Sequence, residues 1–145
     1  MRRGLTYLFM PHLDSDDYRA LANFRYLLRK FLRFSKDFLR ANGNLNPEQY
    51  EALLAIKAFT SIGGLTISQL SERLQVRHHS AVNIVDRLAE GKLITRETRE
   101  TDRRRRHVQL TAKGEKLIEE LAAVHRKEIR GRSADLIKSL EELRK

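Results

Sequence analysis

At 145 residues the chain is long enough for one domain with a real core. Its 29 lysines and arginines against 19 acidic residues leave a net charge of +10, so polyanions are natural partners, although charge alone does not choose among DNA, RNA and membrane. No cysteine is present, which excludes disulfides, thiolate metal sites and cysteine nucleophiles, and no apolar run reaches the length of about eighteen residues that a membrane span needs.

Residues 1–13 read as a loosely held arm, with Pro11 marking the break before regular structure. The apolar run Leu5 to Met10 behind Arg2 and Arg3 is too short for a secretory signal, and a cytoplasmic protein with no membrane partner is expected. Asp14, Ser15, Asp16 and Asp17 then supply capping groups and negative charge for a helix N-terminus. From Tyr18 to Arg40, Leu21, Phe24, Leu28, Phe31, Leu32, Phe38 and Leu39 recur at helical spacing, and Tyr18, Leu27 and Phe34 widen the stripe beyond what one small domain needs to cover. Arg25, Arg29, Arg33, Lys36 and Arg40 form the opposite side, either a solvated face or an outer rim of phosphate contacts. Asn42-Gly43-Asn44 stops the helix, and Asn46-Pro47 starts a second with a cap and an N1 proline. Tyr50, Leu53, Leu54, Ile56, Ala58 and Phe59 are its expected core face, and Ile62-Gly63-Gly64-Leu65 is a connector.

Thr66-Ile67-Ser68-Gln69 has the form of a capping box, and Ile67, Leu70 and Leu74 follow at helical spacing. Gln75 and Val76 make a turn, and a further helix runs from about His78 to Glu90 with Ala81, Ile84, Val85 and Leu88 on one face. At about 100° per residue, His79, Asn83 and Arg87 fall on the other face, where a major groove would meet them. His79 and Asn83 can hydrogen-bond base edges, Arg87 can reach a base or a phosphate, and Arg77, His78 and Ser80 stand at the N-terminal end, where exposed amides favour phosphate. Gly91 closes the helix, Leu93 to Arg96 and Arg106 to Leu110 are strand signals, and Glu100 to Arg106 between them carries four adjacent arginines. A hairpin tip so charged repels itself unless anions are near, and a narrow minor groove focuses negative potential. The pattern is a winged helix-turn-helix directed at duplex DNA.

Thr111 is expected to cap a helix bearing Leu117, Leu121, Val124 and Ile129, with Ile118 and Ala122 beside them. Gly131 should end or bend it, and Ser133 should start a last helix whose seam is Leu136, Ile137, Leu140 and Leu143. Wide apolar stripes at both ends of the chain point to a second copy, with Tyr18, Leu21, Phe24, Leu28, Leu136 and Leu140 as dimerisation residues. The five histidines, His12, His78, His79, His107 and His125, contain no i, i+4 metal pair, and no phosphate loop, dinucleotide fingerprint or nucleophile elbow occurs. No enzyme activity, cofactor or metal is expected.

Asp86-Arg87-Leu88, Gly91-Lys92-Leu93-Ile94-Thr95-Arg96, Asp102-Arg103-Arg104 and Leu110-Thr111-Ala112-Lys113-Gly114 together resemble the MarR family of bacterial transcriptional regulators over nearly the whole chain. The resemblance implies that Arg104 enters the minor groove, that Asp102 braces it, and that Arg103 meets phosphate; Arg105 is expected to be a further DNA-binding residue of the wing. It also implies a homodimer and a small aromatic effector lodged between the second helix and the long first one. Gln75 departs from the glycine that many members carry in the turn. The expected fold is mainly α with a small β-hairpin, one domain over 1–145 in which 47–111 is the winged helix and 14–46 and 112–145 are dimerisation helices. The expected function is sequence-specific regulation from a pseudo-palindromic site, the alternative being a sequence-indifferent architectural DNA-binding protein.

Overall fold

The structure, a computed structural model, describes residues 12–98 and 106–145. Helix α1 spans Ser15–Gly43. Its start is fixed reciprocally: the Asp14 carboxylate accepts from the Asp17 amide at 2.9 Å and the Asp17 carboxylate from the Asp14 amide at 2.9 Å. At the other end the left-handed residue is Asn44, with φ 50° and ψ 41°, and Gly43 stays helical where an added Cβ would come within 3.3 Å of Leu121. Helix α2, Pro47–Phe59, begins on the same device, with Asn46 and Gln49 exchanging bonds of 2.8 and 2.9 Å.

Tyr50, Ala52, Leu53 and Ile56 form the buried face of α2. Leu54 and Ala58, expected in that face, are exposed instead. Leu54 lies about 100° around the helix from Leu53, outside the arc that the other elements cover. A short 3-10 turn, Thr60–Ile62, leads through Gly63 and Gly64, both at positive φ, into a two-residue strand β1, Leu65–Thr66. This strand, which the sequence presented only as a connector, pairs antiparallel with β3, Arg106–Leu110, through Leu65↔Val108 and Thr66↔His107. Strand β2, Ile94–Thr98, pairs with the other edge of β3, giving the order β1-β3-β2. Helices α3, Ile67–Leu74, and α4, His78–Glu90, complete the reader over a core that includes Leu53, Ile56, Leu70, Val85, Leu88, Ile94 and Val108.

Helix α5 runs without interruption from Ala112 to Arg144. The break expected at Gly131 does not occur. Arg132 and Glu128 form an i, i+4 ion pair across that glycine at 2.8 Å, and the Ser133 hydroxyl donates back to the Arg130 carbonyl at 2.7 Å rather than capping a new helix. The chain therefore has one C-terminal helix where two were anticipated.

Helices α1 and α5 pack antiparallel, with Gly43 beside Leu121 and Ser35 beside His125. His125 is buried at the centre of the junction with α2. A carbonyl oxygen only accepts, so Nδ1 donates to the Leu121 carbonyl at 2.7 Å, and in the neutral ring Nε2 accepts from the Ser35 hydroxyl at 2.8 Å. The ring stacks on Tyr50 at 4.3 Å between centroids, and Phe31, Phe34 and Phe38 meet it edge-on. Burial, followed by the nearby Glu51 carboxylate, pushes the Tyr50 hydroxyl above its ordinary pKa.

The long helix pair leaves apolar surface uncovered. Tyr18, Leu21 and Leu32 on α1 and Ile129, Ile137 and Leu140 on α5 are exposed. Measured from the buried line of each helix at about 100° per residue, Leu21, Leu32, Ile129 and Leu140 all lie roughly 60–95° away, and the antiparallel arrangement puts them on the same side. The strip is thus continuous across both helices.

Candidate nucleic-acid interface

The reader is positioned by three local devices. Thr66 and Gln69 cap α3 reciprocally, at 3.1 and 2.9 Å. At its other end, Gln75 adopts φ 55° and ψ 46°, the Val76 amide donates to the Ser71 carbonyl at 3.1 Å and the Gln75 amide to the Glu72 carbonyl at 3.1 Å. The turn expected to want glycine therefore keeps its left-handed geometry with a glutamine. The Gln75 amide group offsets part of the steric cost by donating to the Glu72 carbonyl at 2.6 Å and to its carboxylate at 3.1 Å.

Helix α4 buries Ala81, Ile84, Val85 and Leu88 and turns His78, His79, Asn83 and Arg87 to solvent. Arg77 precedes it, also exposed, and Ser80 is half-buried. No side chain caps this helix, so its first-turn amides have no side-chain acceptor. All six residues singled out on this helix thus share one end or face, and five of them are exposed.

The third device holds the wing to the helix. Strands β2 and β3 pair from Ile94↔Leu110 to Thr98↔Arg106. Arg96 on β2 forms an ion pair with Asp86 on α4, so the root of the hairpin is tied to the helix it flanks. Behind the hairpin, the Thr111 hydroxyl accepts from the Gly114 amide at 3.0 Å and donates to the Lys92 carbonyl at 2.7 Å, while the Lys113 ammonium donates to the Gly91 carbonyl at 3.0 Å. A Cβ on Gly114 would run into the Leu93 backbone carbonyl. The Leu-Thr-x-x-Gly spacing is therefore the joint that lets α5 leave the sheet against the end of α4.

Asp102, Arg103, Arg104 and Arg105 lie outside the described residues, as does the rest of the segment between Thr98 and Arg106. Sequence reasoning missed the Asp86–Arg96 tie, although both residues stood in the quoted motifs; only the three-dimensional pairing of β2 with α4 reveals it. It also passed over His125 as one of several scattered histidines. The junction of α1 with α2, where an effector was expected to lodge, is filled by Phe34, Phe38, Tyr50 and His125. Among the described residues no cluster of three or more histidines, aspartates or glutamates is arranged to hold a metal, and no helix is long and apolar enough to cross a membrane.

Residues 44–105 match the model of the MarR family. Solved structures of that kind share the architecture. AbsC, a MarR family transcriptional regulator from Streptomyces coelicolor, superposes with a TM-score of 0.76 over 92% of this chain and 90% of its own, at 22% identity. A mutant of MepR from Staphylococcus aureus, bound to an oligodeoxyribonucleotide, gives 0.64 at 25% identity over 87% of this chain and 97% of its own. MepR bound to ethidium bromide gives 0.58 at 25% identity, covering 82% and 95%. No curated protein matches the chain.

Proposed function

We propose that this chain is a MarR family DNA-binding transcriptional regulator, a reading supported by the match of residues 44–105 to that family's model and by the shared architecture, and that it acts as a homodimer on a pseudo-palindromic operator and represses by occupying promoter DNA. The observation that carries the reading is the exposed polar and basic face of α4, His79, Asn83 and Arg87, tied by Asp86–Arg96 to the root of an arginine-rich hairpin. A helix of this kind reads base edges in a major groove while a hairpin beside it reaches the adjacent minor groove. Asn83 is assigned to a base, Arg87 to a base or phosphate, and Arg77, His78, His79 and Ser80 to the phosphate and base contacts of the entering end. In the wing, Arg104 is the minor-groove reader, Asp102 its brace, and Arg103 and Arg105 phosphate contacts. The structure of MepR bound to an oligodeoxyribonucleotide supports DNA as the partner.

The second copy is assigned to the apolar strip of α1 and α5, with Tyr18, Leu21 and Leu140 exposed and Phe24, Leu28 and Leu136 half-buried along it. Two copies related by a two-fold axis would present their α4 helices about one DNA turn, roughly 34 Å, apart. A small aromatic effector would release the DNA to the extent that it binds the two spacings of the readers unequally; MepR bound to ethidium bromide is a similar structure that holds an aromatic molecule.

Binding titrations at several salt concentrations on a selected duplex and on a scrambled one test the reading. A regulator holds its own site about 10³-fold or more tighter, and a sequence-indifferent architectural protein loses affinity equally on both as salt rises. Asn83→Ala should relax base preference by about 1–3 kcal/mol at one position of each half-site, and Arg104→Ala should weaken binding while the fold is kept. A uniform loss on every sequence for Asn83→Ala makes it a phosphate contact, and unchanged affinity for Arg104→Ala removes the wing assignment.

A further inference from the structure

His125 stands where the helix pair meets the reader, and no part of the proposed DNA contact uses it. It is 3% exposed, and Ser35 and Tyr50 beside it are 5% and 7% exposed. The groups that hold its ring belong to the helix pair: the Leu121 carbonyl of α5 takes the Nδ1 proton, the Ser35 hydroxyl of α1 donates to Nε2, and Phe31, Phe34 and Phe38 of α1 close on it edge-on. With both nitrogens committed, neither side-chain torsion is free. The reader's contribution is Tyr50 of α2, whose ring lies within 18° of parallel to the imidazole.

The other contacts between α2 and α5 are of a different kind. Lys57 pairs with Glu115, but both side chains are exposed, and such a pair contributes little. Ile118 and Leu121 join the core of the reader, and apolar packing of this sort loses a unique geometry before it loses stability. A buried ring with every polar atom satisfied does the reverse: it adds little net stability over an apolar side chain and specifies one arrangement. Leu53 and Ile56 of α2 share a core with Val85 and Leu88 of α4, so the recognition helix follows any tilt of α2.

We propose that His125 is a positioning residue for DNA binding: held by Ser35 and the Leu121 carbonyl, its ring fixes through Tyr50 the angle at which α2 leaves the α1–α5 pair, and with it the distance between the two α4 helices of a dimer. The proposal rests on the homodimeric DNA-binding reading above.

The test measures affinity of the full-length protein for the selected operator, for a single half-site, and for the operator with one base pair inserted between its halves, with denaturant melts on the same samples. Ser35→Ala combined with His125→Leu removes both members of the hydrogen bond, so no buried group is orphaned. The expected result is a melt close to the parent's, affinity for the operator about tenfold weaker, affinity for the half-site unchanged, and a narrower gap between the operator and its lengthened form. Tyr50→Leu, which removes the other half of the stack, should reproduce this pattern, and joining it to the first variant should cost little more, because the two rings act as one contact. Tyr50→Phe keeps the stack and should behave as the parent. Operator affinity equal to the parent's in both stack variants overturns the proposal. So does a loss equal on operator and half-site and in step with lost stability, which makes His125 a core residue and nothing more. A parent that binds the operator no tighter than the half-site removes the dimeric reading itself, and this inference with it, before any variant is made.

Discussion

The winged-helix reader and the α1–α5 pair finish their surfaces in opposite ways. In the reader, the faces turned to solvent on α4 carry His79, Asn83 and Arg87, while Leu70, Val85, Leu88, Ile94 and Val108 are sealed inside. On α4 the reader therefore offers solvent a polar, basic face. In the helix pair, Leu21, Leu32, Ile129, Ile137 and Leu140 stay in solvent. Its core is unfinished in a single copy, because two helices side by side can cover only the line where they touch. The difference teaches that polar and apolar exposure in one chain call for partners of different chemistry, which the proposed function assigns to nucleic acid for the first and to a second copy for the second.

The most damaging change to this contrast is to make the open strip polar. Leu21→Glu combined with Leu140→Glu should leave each subunit folded, shift the molar mass in light scattering to that of a monomer, and lower affinity for a two-fold duplex about 100-fold or more, because the second half-site is no longer presented with the first. A dimer that survives both charges removes the strip from the interface. Next in size is Gly114→Ala, where the new methyl meets the Leu93 carbonyl at the joint between wing and α5. It should cost about 3 kcal/mol in denaturant melts, at the upper end of overpacking penalties. Its counterpart on the open helix, Gly131→Ala, meets nothing within 4 Å and should stabilise by about 0.5–1 kcal/mol, the ordinary helix-interior preference. Equal responses at the two glycines would contradict the geometry of the joint.

Gln75→Gly probes the turn. The left-handed backbone there costs a non-glycine residue roughly 1 kcal/mol, which glycine relieves while losing the bonds to Glu72. A net gain of a few tenths to about 1 kcal/mol is expected, and a loss would show that the side-chain bonds outweigh the strain. The smallest effect belongs to Glu51, whose pKa is raised above 4.5, first by burial and then by the neighbouring Glu48 carboxylate. The folded state disfavours the ionised form, so this group subtracts stability as pH rises through the region just above 4.5 and subtracts nothing below it. Glu51→Gln should therefore be slightly more stable than the parent at pH 7 and lose that advantage at pH 4; a parent more stable at pH 7 would reverse the sign.

The ends of the elements were legible because caps are local chemistry. Asp14, Asn46, Thr66 and Thr111 each announce a helix within a few residues, and each does cap one. The period of α4 was legible for the same reason, since Ala81, Ile84, Val85 and Leu88 specify its buried face without help from elsewhere. What failed depended on distant partners. Gly131 looked like a stop because propensity says so, but the packing of α5 along the whole of α1 and the Arg132–Glu128 pair carry the helix through it. Strand β1 is two residues long and exists only because β3 arrives beside it. Leu54 and Ala58 are apolar on a helix that has no neighbour on that side in one copy. His125 became central only when Ser35, Tyr50 and three phenylalanines were brought around it.

Selecting bound duplexes from a random pool at about 0.15 M salt asks the central question in one step, because the recovered sequence reports both base reading and subunit arrangement. The account predicts an inverted repeat whose half-sites are about 10 base pairs apart, centre to centre, with information concentrated where Asn83 and Arg87 meet the major groove. Recovery of a single unrepeated half-site, or of a pool no different from the input, would contradict it.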